Sequence, residues 1–95
     1  MSQPKMVLDS DGTKRWCLNN KYHREDGPAV ENSDGTKQWF LNGEPHREGG
    51  PAIEWSDGTK EWYLNGKEFS FEDYIAELER RGLKDSVVNT LFNIG

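Results

Sequence analysis

The chain has 95 residues, 33% of them apolar and 31% charged, with a formal net charge of −5; it is long enough for one domain, residues 1–95, and too weakly charged for a histone-like nucleic-acid binder or a polybasic membrane anchor. No apolar run approaches the roughly 18 residues of a membrane helix, the start Met1-Ser2-Gln3-Pro4-Lys5 lacks a signal peptide's apolar core, and the lone Cys17 excludes an intramolecular disulfide and a multi-cysteine zinc site, so a cytoplasmic location is expected. Mean hydropathy of −0.98 is the balance of a disordered tail, but four Trp, four Phe and three Tyr are more aromatic surface than a tail carries.

The string Ser-Asp-Gly-Thr-Lys recurs at Ser10–Lys14, Ser33–Lys37 and Ser56–Lys60, a period of 23 residues. In the same frame stand Trp16, Trp39 and Trp62, then Leu18, Leu41 and Leu64, then Asn19, Asn42 and Asn65. His23-Arg24-Glu25 returns as His46-Arg47-Glu48, and Gly27-Pro28-Ala29-Val30-Glu31 as Gly50-Pro51-Ala52-Ile53-Glu54. Met6-Val7-Leu8 reads as a partial copy of that last strand, opening the first unit. A fixed period of this length marks a repeat architecture.

Within a unit, Asp-Gly and Asn-Gly are the dipeptides of two-residue hairpin turns, and Asn19-Asn20 is their weaker version. Between the turns, Lys37-Gln38-Trp39-Phe40-Leu41 alternates as a strand, with Lys37, Trp39 and Leu41 on one face and Gln38 and Phe40 on the other. Lys14, Lys37 and Lys60 fall on the Trp face, where their stems are expected to cover the indoles. A Gly-Gly-Pro corner at Gly49-Gly50-Pro51 precedes a further strand, Ala52-Ile53-Glu54-Trp55, whose proline belongs at its start. Beyond residue 69 the period changes. Ser70 and Asp73 form an S-x-x-D capping box for a helix from about Phe71 to Arg81, ended by Gly82. A second amphipathic segment, Asp85 or Ser86 to about Asn93, places Val87, Val88, Leu91 and Phe92 together. The expected fold is mainly β with C-terminal α: an antiparallel hairpin-repeat meander of three units over 6–69, closed by two short helices over 70–95.

The pattern Asp-Gly-Thr-Lys-x-Trp-x-Leu-Asn-Gly-x-x-His-Arg-Glu-x-Gly-Pro-Ala, complete at Asp34–Ala52, resembles the variant MORN-type repeats of phage, viral and bacterial proteins. The resemblance spans roughly residues 6–69, and the helical end matches no familiar motif. It implies stacked hairpins with a scaffold or binding role and brings no catalytic residue. The third unit departs from it: Phe69 replaces His23 and His46, and Ser70 replaces Arg24 and Arg47.

That departure bears on the histidines. A metal site or acid–base pair from His23 and His46, with Glu25 or Glu48, is the sharp reading. However, equivalent residues two strands apart lie roughly 10 Å apart, too far for one ion, and a position that accepts Phe69 is a packing position. Arg24 and Arg47 read as partners of repeated acids. Trp16, Trp39 and Trp62 read as core before they read as a stacking surface for sugars or bases, and Cys17, in frame with Phe40 and Tyr63, as an apolar filler. No catalytic, cofactor or metal residue is assigned.

Specificity is expected where the copies differ: Asp9, Asn32 and Trp55; Arg15, Gln38 and Glu61; Cys17, Phe40 and Tyr63; Lys21, Glu44 and Lys67; Tyr22, Pro45 and Glu68. Phe40, Trp55, Tyr63, Gln38, Glu61 and Glu44 are the partner-binding candidates. The expected function is a non-enzymatic protein-interaction module, acidic, phage- or virus-related, that binds and inhibits a host or bacterial protein such as a defence enzyme, with neither nucleic acid nor membrane as partner. A lipid-surface MORN-like module and a metal-assisted hydrolase are the alternatives, and a homodimer through the free strand near Met6–Asp9 is a further expectation.

Overall fold

The computed structural model describes residues 3–93; Met1 and Ser2 of the N-terminal start and the last two positions of the 70–95 cap lie outside them. The chain opens with β1 (Lys5–Leu8), β2 (Lys14–Leu18), β3 (Lys21–Tyr22) and β4 (Val30–Glu31). It continues through β5 (Lys37–Gln38), β6 (Phe40–Leu41), β7 (Glu44–Pro45), β8 (Ile53–Glu54), β9 (Lys60–Leu64) and β10 (Lys67–Phe69). Two helices follow, α1 (Phe71–Arg80) and α2 (Lys84–Asn93). Every strand pairing is antiparallel, in the order β1-β2-β4-β5-β8-β9-β10, with β3 on β2 and β6 on β7. The expected hairpin meander with a helical end is therefore the observed fold.

Each unit divides at its tryptophan. The lower half of β2 pairs β4 and its upper half pairs β3. At the division the Trp16 N–H donates to the Ala29 carbonyl, and the Trp16 carbonyl accepts from the His23 N–H. The second unit repeats both bonds, Trp39 to Ala52 and His46 to Trp39. There the strand expected over Lys37–Leu41 is interrupted at Trp39, because its two halves belong to different ladders.

The two turn types differ from the expectation in one respect. Asn42-Gly43 and Asn65-Gly66 both have two residues at positive φ (52° and 82°; 54° and 82°), as a two-residue hairpin loop demands, and Asn19-Asn20 manages the same at 53° and 65°. The Asp-Gly turns are instead three-residue loops. Asp9 N–H donates to the Thr13 carbonyl, Gly12 alone has positive φ, and the Asp11 carboxylate accepts from the Thr13 N–H at 2.9 Å. Asp-Gly here supplies one left-handed residue and one side-chain acceptor.

The indoles are covered by arginine and not by lysine. Arg24 Cζ lies 3.8 Å from the Trp16 ring centroid, and Arg47 Cζ 3.8 Å from that of Trp39. A guanidinium is planar and weakly hydrated, so it can lie flat on an indole as an ammonium cannot. Its outer face meets glycine. A Cβ on Gly27 would stand 3.0 Å from Arg24 Cζ, and one on Gly50 2.9 Å from Arg47 Cζ. Each Nη1 also donates across the corner, Arg24 to the Pro28 carbonyl and Glu31, Arg47 to the Pro51 carbonyl and Glu54. The expected arginine–acid pairs are thus present, as parts of a three-layer stack. The lysines stand elsewhere, exposed, in a cross-strand row Lys14, Glu31, Lys37, Glu54, Lys60 whose charges alternate.

The third unit has no such arginine, and α1 takes its place. Phe71 and Tyr74 set their rings 5.0 and 5.1 Å from the Trp62 centroid. Trp62, Leu64, Tyr74 and Leu78 form a buried cluster, backed by Phe69, Phe71, Ile75, Leu83 and Val87. Ser70 caps α1 by accepting from the Asp73 N–H at 3.2 Å, and Gly82 follows the helix with φ of 76°. The Tyr74 hydroxyl donates to the Arg47 carbonyl and lies 3.0 Å from the Gly50 carbonyl, so the helix is bonded to the second unit's corner. On α2, Val87 and the fully buried Thr90 face inward, whereas Val88, Leu91 and Phe92 are exposed. The expected grouping of Val87 with those three is therefore corrected; α2 is positioned by Leu83, Val87 and Thr90, the residues that reach α1 and the second corner. Replacing Tyr74 by Phe keeps the ring on Trp62 and removes the hydroxyl from the half-buried Arg47 carbonyl and the buried Gly50 carbonyl. It should lower unfolding free energy by about 1–3 kcal/mol in urea titration, with an unchanged helical circular dichroism signal.

Candidate functional site

The sheet has two dissimilar faces. On one, arginine, glycine and α1 cover the three indoles, and both helices dock there. The other face carries the row Arg15, Val30, Gln38, Ile53, Glu61, in register across the sheet. Above that row runs a stripe of half-buried side chains: Cys17 opposite Tyr22, Phe40 opposite Pro45, and Tyr63 opposite the exposed Glu68. Tyr22 and Phe40 join the first two units through rings 5.5 Å apart, tilted at 52°. Burial, then the hydrogen-bonded Glu61 carboxylate, raises the Tyr63 phenol above its ordinary pKa.

Five of the six candidate residues share this face: Gln38, Phe40, Trp55, Glu61 and Tyr63. Glu44 does not. It stands opposite Leu41, on the indole side, with its carboxylate near Gly66 of the next turn. Two residues that belong to the stripe, Tyr22 and Pro45, were visible only as positions where the copies differ. Tyr22 reaches Phe40 across units, which spacing within one unit does not reveal, and Pro45 stands opposite Phe40 through the register of their own hairpin.

Two of the five sets of differing positions prove to be matched to each other. Asp9 takes Arg15, Asn32 takes Gln38 at 3.0 Å, and the Trp55 indole N–H donates to Glu61. An acid–base pair, an amide pair and an indole–carboxylate pair fill one structural slot in three ways. Trp55 nevertheless stays 42% exposed, and Glu61 also accepts from the Tyr63 hydroxyl at 3.1 Å. The third unit therefore gathers Trp55, Glu61, Tyr63 and Glu68 as the most aromatic and acidic part of the face.

The histidines bind the units together. His23 Nδ1 accepts from the Asn42 N–H at 3.0 Å and His46 Nδ1 from the Asn65 N–H at 2.9 Å, which leaves each Nε2 facing Glu25 or Glu48 at 3.5 and 3.3 Å. Phe69 has no following unit to bond, so an apolar ring serves there. Thr13 and Thr36 act in parallel: each hydroxyl accepts from the N–H of a serine in the next unit, Ser33 and Ser56. An open groove of about 630 Å³ lies on the indole side between the first two corners, lined by Arg24, Asp26, Trp39, His46, Arg47 and Glu48. Its arginines are committed to indoles, carbonyls and carboxylates, so it offers no unengaged guanidinium for an anion. Among the described residues no three His, Cys, Asp or Glu side chains gather where they could hold a metal ion, and no helix is long and apolar enough to cross a membrane. Comparison with family models, curated proteins and solved structures finds no match.

Several carboxylates are held ionised by the fold. The Thr13, Thr36 and Thr59 N–H groups and hydroxyls draw Asp11, Asp34 and Asp57 below their ordinary value, and Arg80 followed by Arg81 lowers Glu77 to about 2. A carboxylate whose folded pKa is depressed adds stability above its unfolded value and loses it as pH falls through the folded one. The melting temperature should therefore hold at neutral pH and fall as pH drops from 4.5, the ordinary value for Glu, toward about 2. Glu77→Gln should start lower at pH 7 and fall less steeply in acid.

Proposed function

We infer that the chain is a non-enzymatic protein-interaction module whose working surface is the face bearing Tyr22, Phe40, Trp55, Glu61 and Tyr63. One observation carries the reading: both helices are spent on the indole side, so the opposite face keeps its aromatic stripe uncovered. Rigid, half-buried aromatics beside carboxylates suit a protein partner, because such rings contribute contact area at small entropic cost. The acidic side chains Glu61 and Glu68 favour a basic surface on that partner. The resemblance to MORN-type repeats of phage, viral and bacterial proteins supports a setting in which the partner is a host protein, such as a defence enzyme, and binding blocks it.

The tagged protein should retain a stoichiometric partner from host lysate, and Trp55→Ala combined with Tyr63→Ala should lose at least about 90% of it, given that central aromatics dominate such interfaces. Both proteins should show the same circular dichroism. Equal capture by wild type and variant, or no stoichiometric partner, would contradict the assignment.

A further inference from the structure

The strand β1 is a copy of β4 and β8 placed at the end of the sheet. Inside the sheet β4 is paired on both sides, by β2 and β5, and β8 by β5 and β9. β1 pairs only β2, and no described strand lies on its outer edge. Its side chains differ from those of the internal copies in the same sense. Met6 stands where the fully buried Ala29 and Ala52 stand, and Leu8 where Glu31 and Glu54 stand. Met6, Val7 and Leu8 are consequently 47%, 52% and 60% exposed in succession. Solvent-exposed sheet edges normally carry charge or proline to prevent pairing; here both stand at the start, Pro4 just before the strand and Lys5 as its first residue, and Met6, Val7 and Leu8 carry neither.

We propose that this edge is a homodimer interface, in which β1 of one copy pairs antiparallel with β1 of a second about a twofold axis at Val7. The register follows from the backbone. The Asp9 N–H donates to the Thr13 carbonyl, and alternate residues of an antiparallel strand direct their polar groups to the same side. Lys5, Val7 and Asp9 therefore face β2, and Met6 and Leu8 present their N–H and C=O groups outward. Centring on Val7 sets Met6 opposite Leu8 of the second copy, twice over, so all four outward groups of each edge are satisfied. Moving the centre to Met6 sets Leu8 against Pro4, which has no N–H, and moving it to Leu8 sets Met6 against Ser10 in the turn. The Val7 register also sets Lys5 opposite Asp9 at both ends, so charges are complementary where the apolar pairs stop. A twofold perpendicular to the sheet keeps the same face of both copies on the same side, and the two aromatic stripes would point one way.

The second copy is the occupant argued for because this self-complementarity of hydrogen bonds, apolar side chains and charge belongs to the strand itself. The test uses the full chain. Light scattering over a range reaching about 1 mM, where even a weak dimer is half formed, should rise from 10.9 kDa toward about twice that mass. Met6→Lys with Leu8→Lys, both at exposed positions, should stay monomeric with unchanged circular dichroism. In a Cys17→Ser background, Val7→Cys should cross-link under mild oxidation at least about tenfold faster than Met6→Cys. Residues facing themselves in a non-hydrogen-bonded pair sit about 4.5 Å apart at Cα, within disulfide range, whereas Met6 faces Leu8. A monomer at every concentration overturns the proposal, and so does cross-linking of Met6→Cys as fast as that of Val7→Cys.

Discussion

The fold depends on a guanidinium held flat between an indole and a glycine. Arg24 lies on Trp16 and Arg47 on Trp39, each 3.8 Å from the ring centroid, with Gly27 or Gly50 closing the other side at a distance that leaves no room for a Cβ. A chain with 33% apolar residues thereby uses a charged side chain as a core layer. The arrangement is stable because the charge is delocalised, weakly hydrated and still hydrogen-bonded: its edge reaches a proline carbonyl and a strand glutamate. Those same bonds draw the corner back onto the sheet, so one side chain fixes the indole, the corner and the next strand. Where the repeat ends, Phe71 and Tyr74 of α1 supply the missing layer over Trp62. The helix is in this sense the last unit's arginine.

Stacking of units then follows from bonds that reach one period forward. His23 and His46 accept from the Asn42 and Asn65 turns, and Thr13 and Thr36 from Ser33 and Ser56. Each link is made only where a following unit exists, which is why Phe69 can replace histidine and Thr59 is left exposed. With the scaffold held by repeated residues, the unrepeated ones are released to vary on the opposite face. Two of the varying positions change in pairs, Asp9 with Arg15, Asn32 with Gln38 and Trp55 with Glu61, so that face changes its chemistry while each pair stays bonded; among the described residues the Arg15 Nε is buried without a partner.

The period, the antiparallel strands, the Asn-Gly turns and the Ser70 cap were legible in the sequence because each rests on local chemistry: alternation, positive φ, a side chain within one turn. What covers the indoles was not legible. Alternation puts Lys14, Lys37 and Lys60 on the Trp face, but the stacking arginine stands eight residues after its tryptophan and returns to it only through the hairpin. The inward stripe of α2 differs from its apolar pattern for a related reason. Thr90 carries the burial because its hydroxyl has a partner in the Ser86 carbonyl, whereas an apolar pattern alone favours Val88, Leu91 and Phe92. Of the candidate face, Phe40, Trp55, Tyr63, Gln38 and Glu61 could be placed by parity. Tyr22 needed the contact between units, and Pro45 and Glu44 needed the register of their own short hairpin.

The stack is tested most directly by a double-mutant cycle at its outer layer. Gly50 has no positive φ, so an alanine there meets no backbone strain and acts only through the space it takes from the Arg47 guanidinium. Unfolding free energies would be measured for wild type, Gly50→Ala, Arg47→Ala and the double variant. If glycine is there to seat the guanidinium, Gly50→Ala costs about 1–2 kcal/mol beside Arg47 and close to nothing once Arg47 is alanine. An equal cost in both backgrounds would contradict the account.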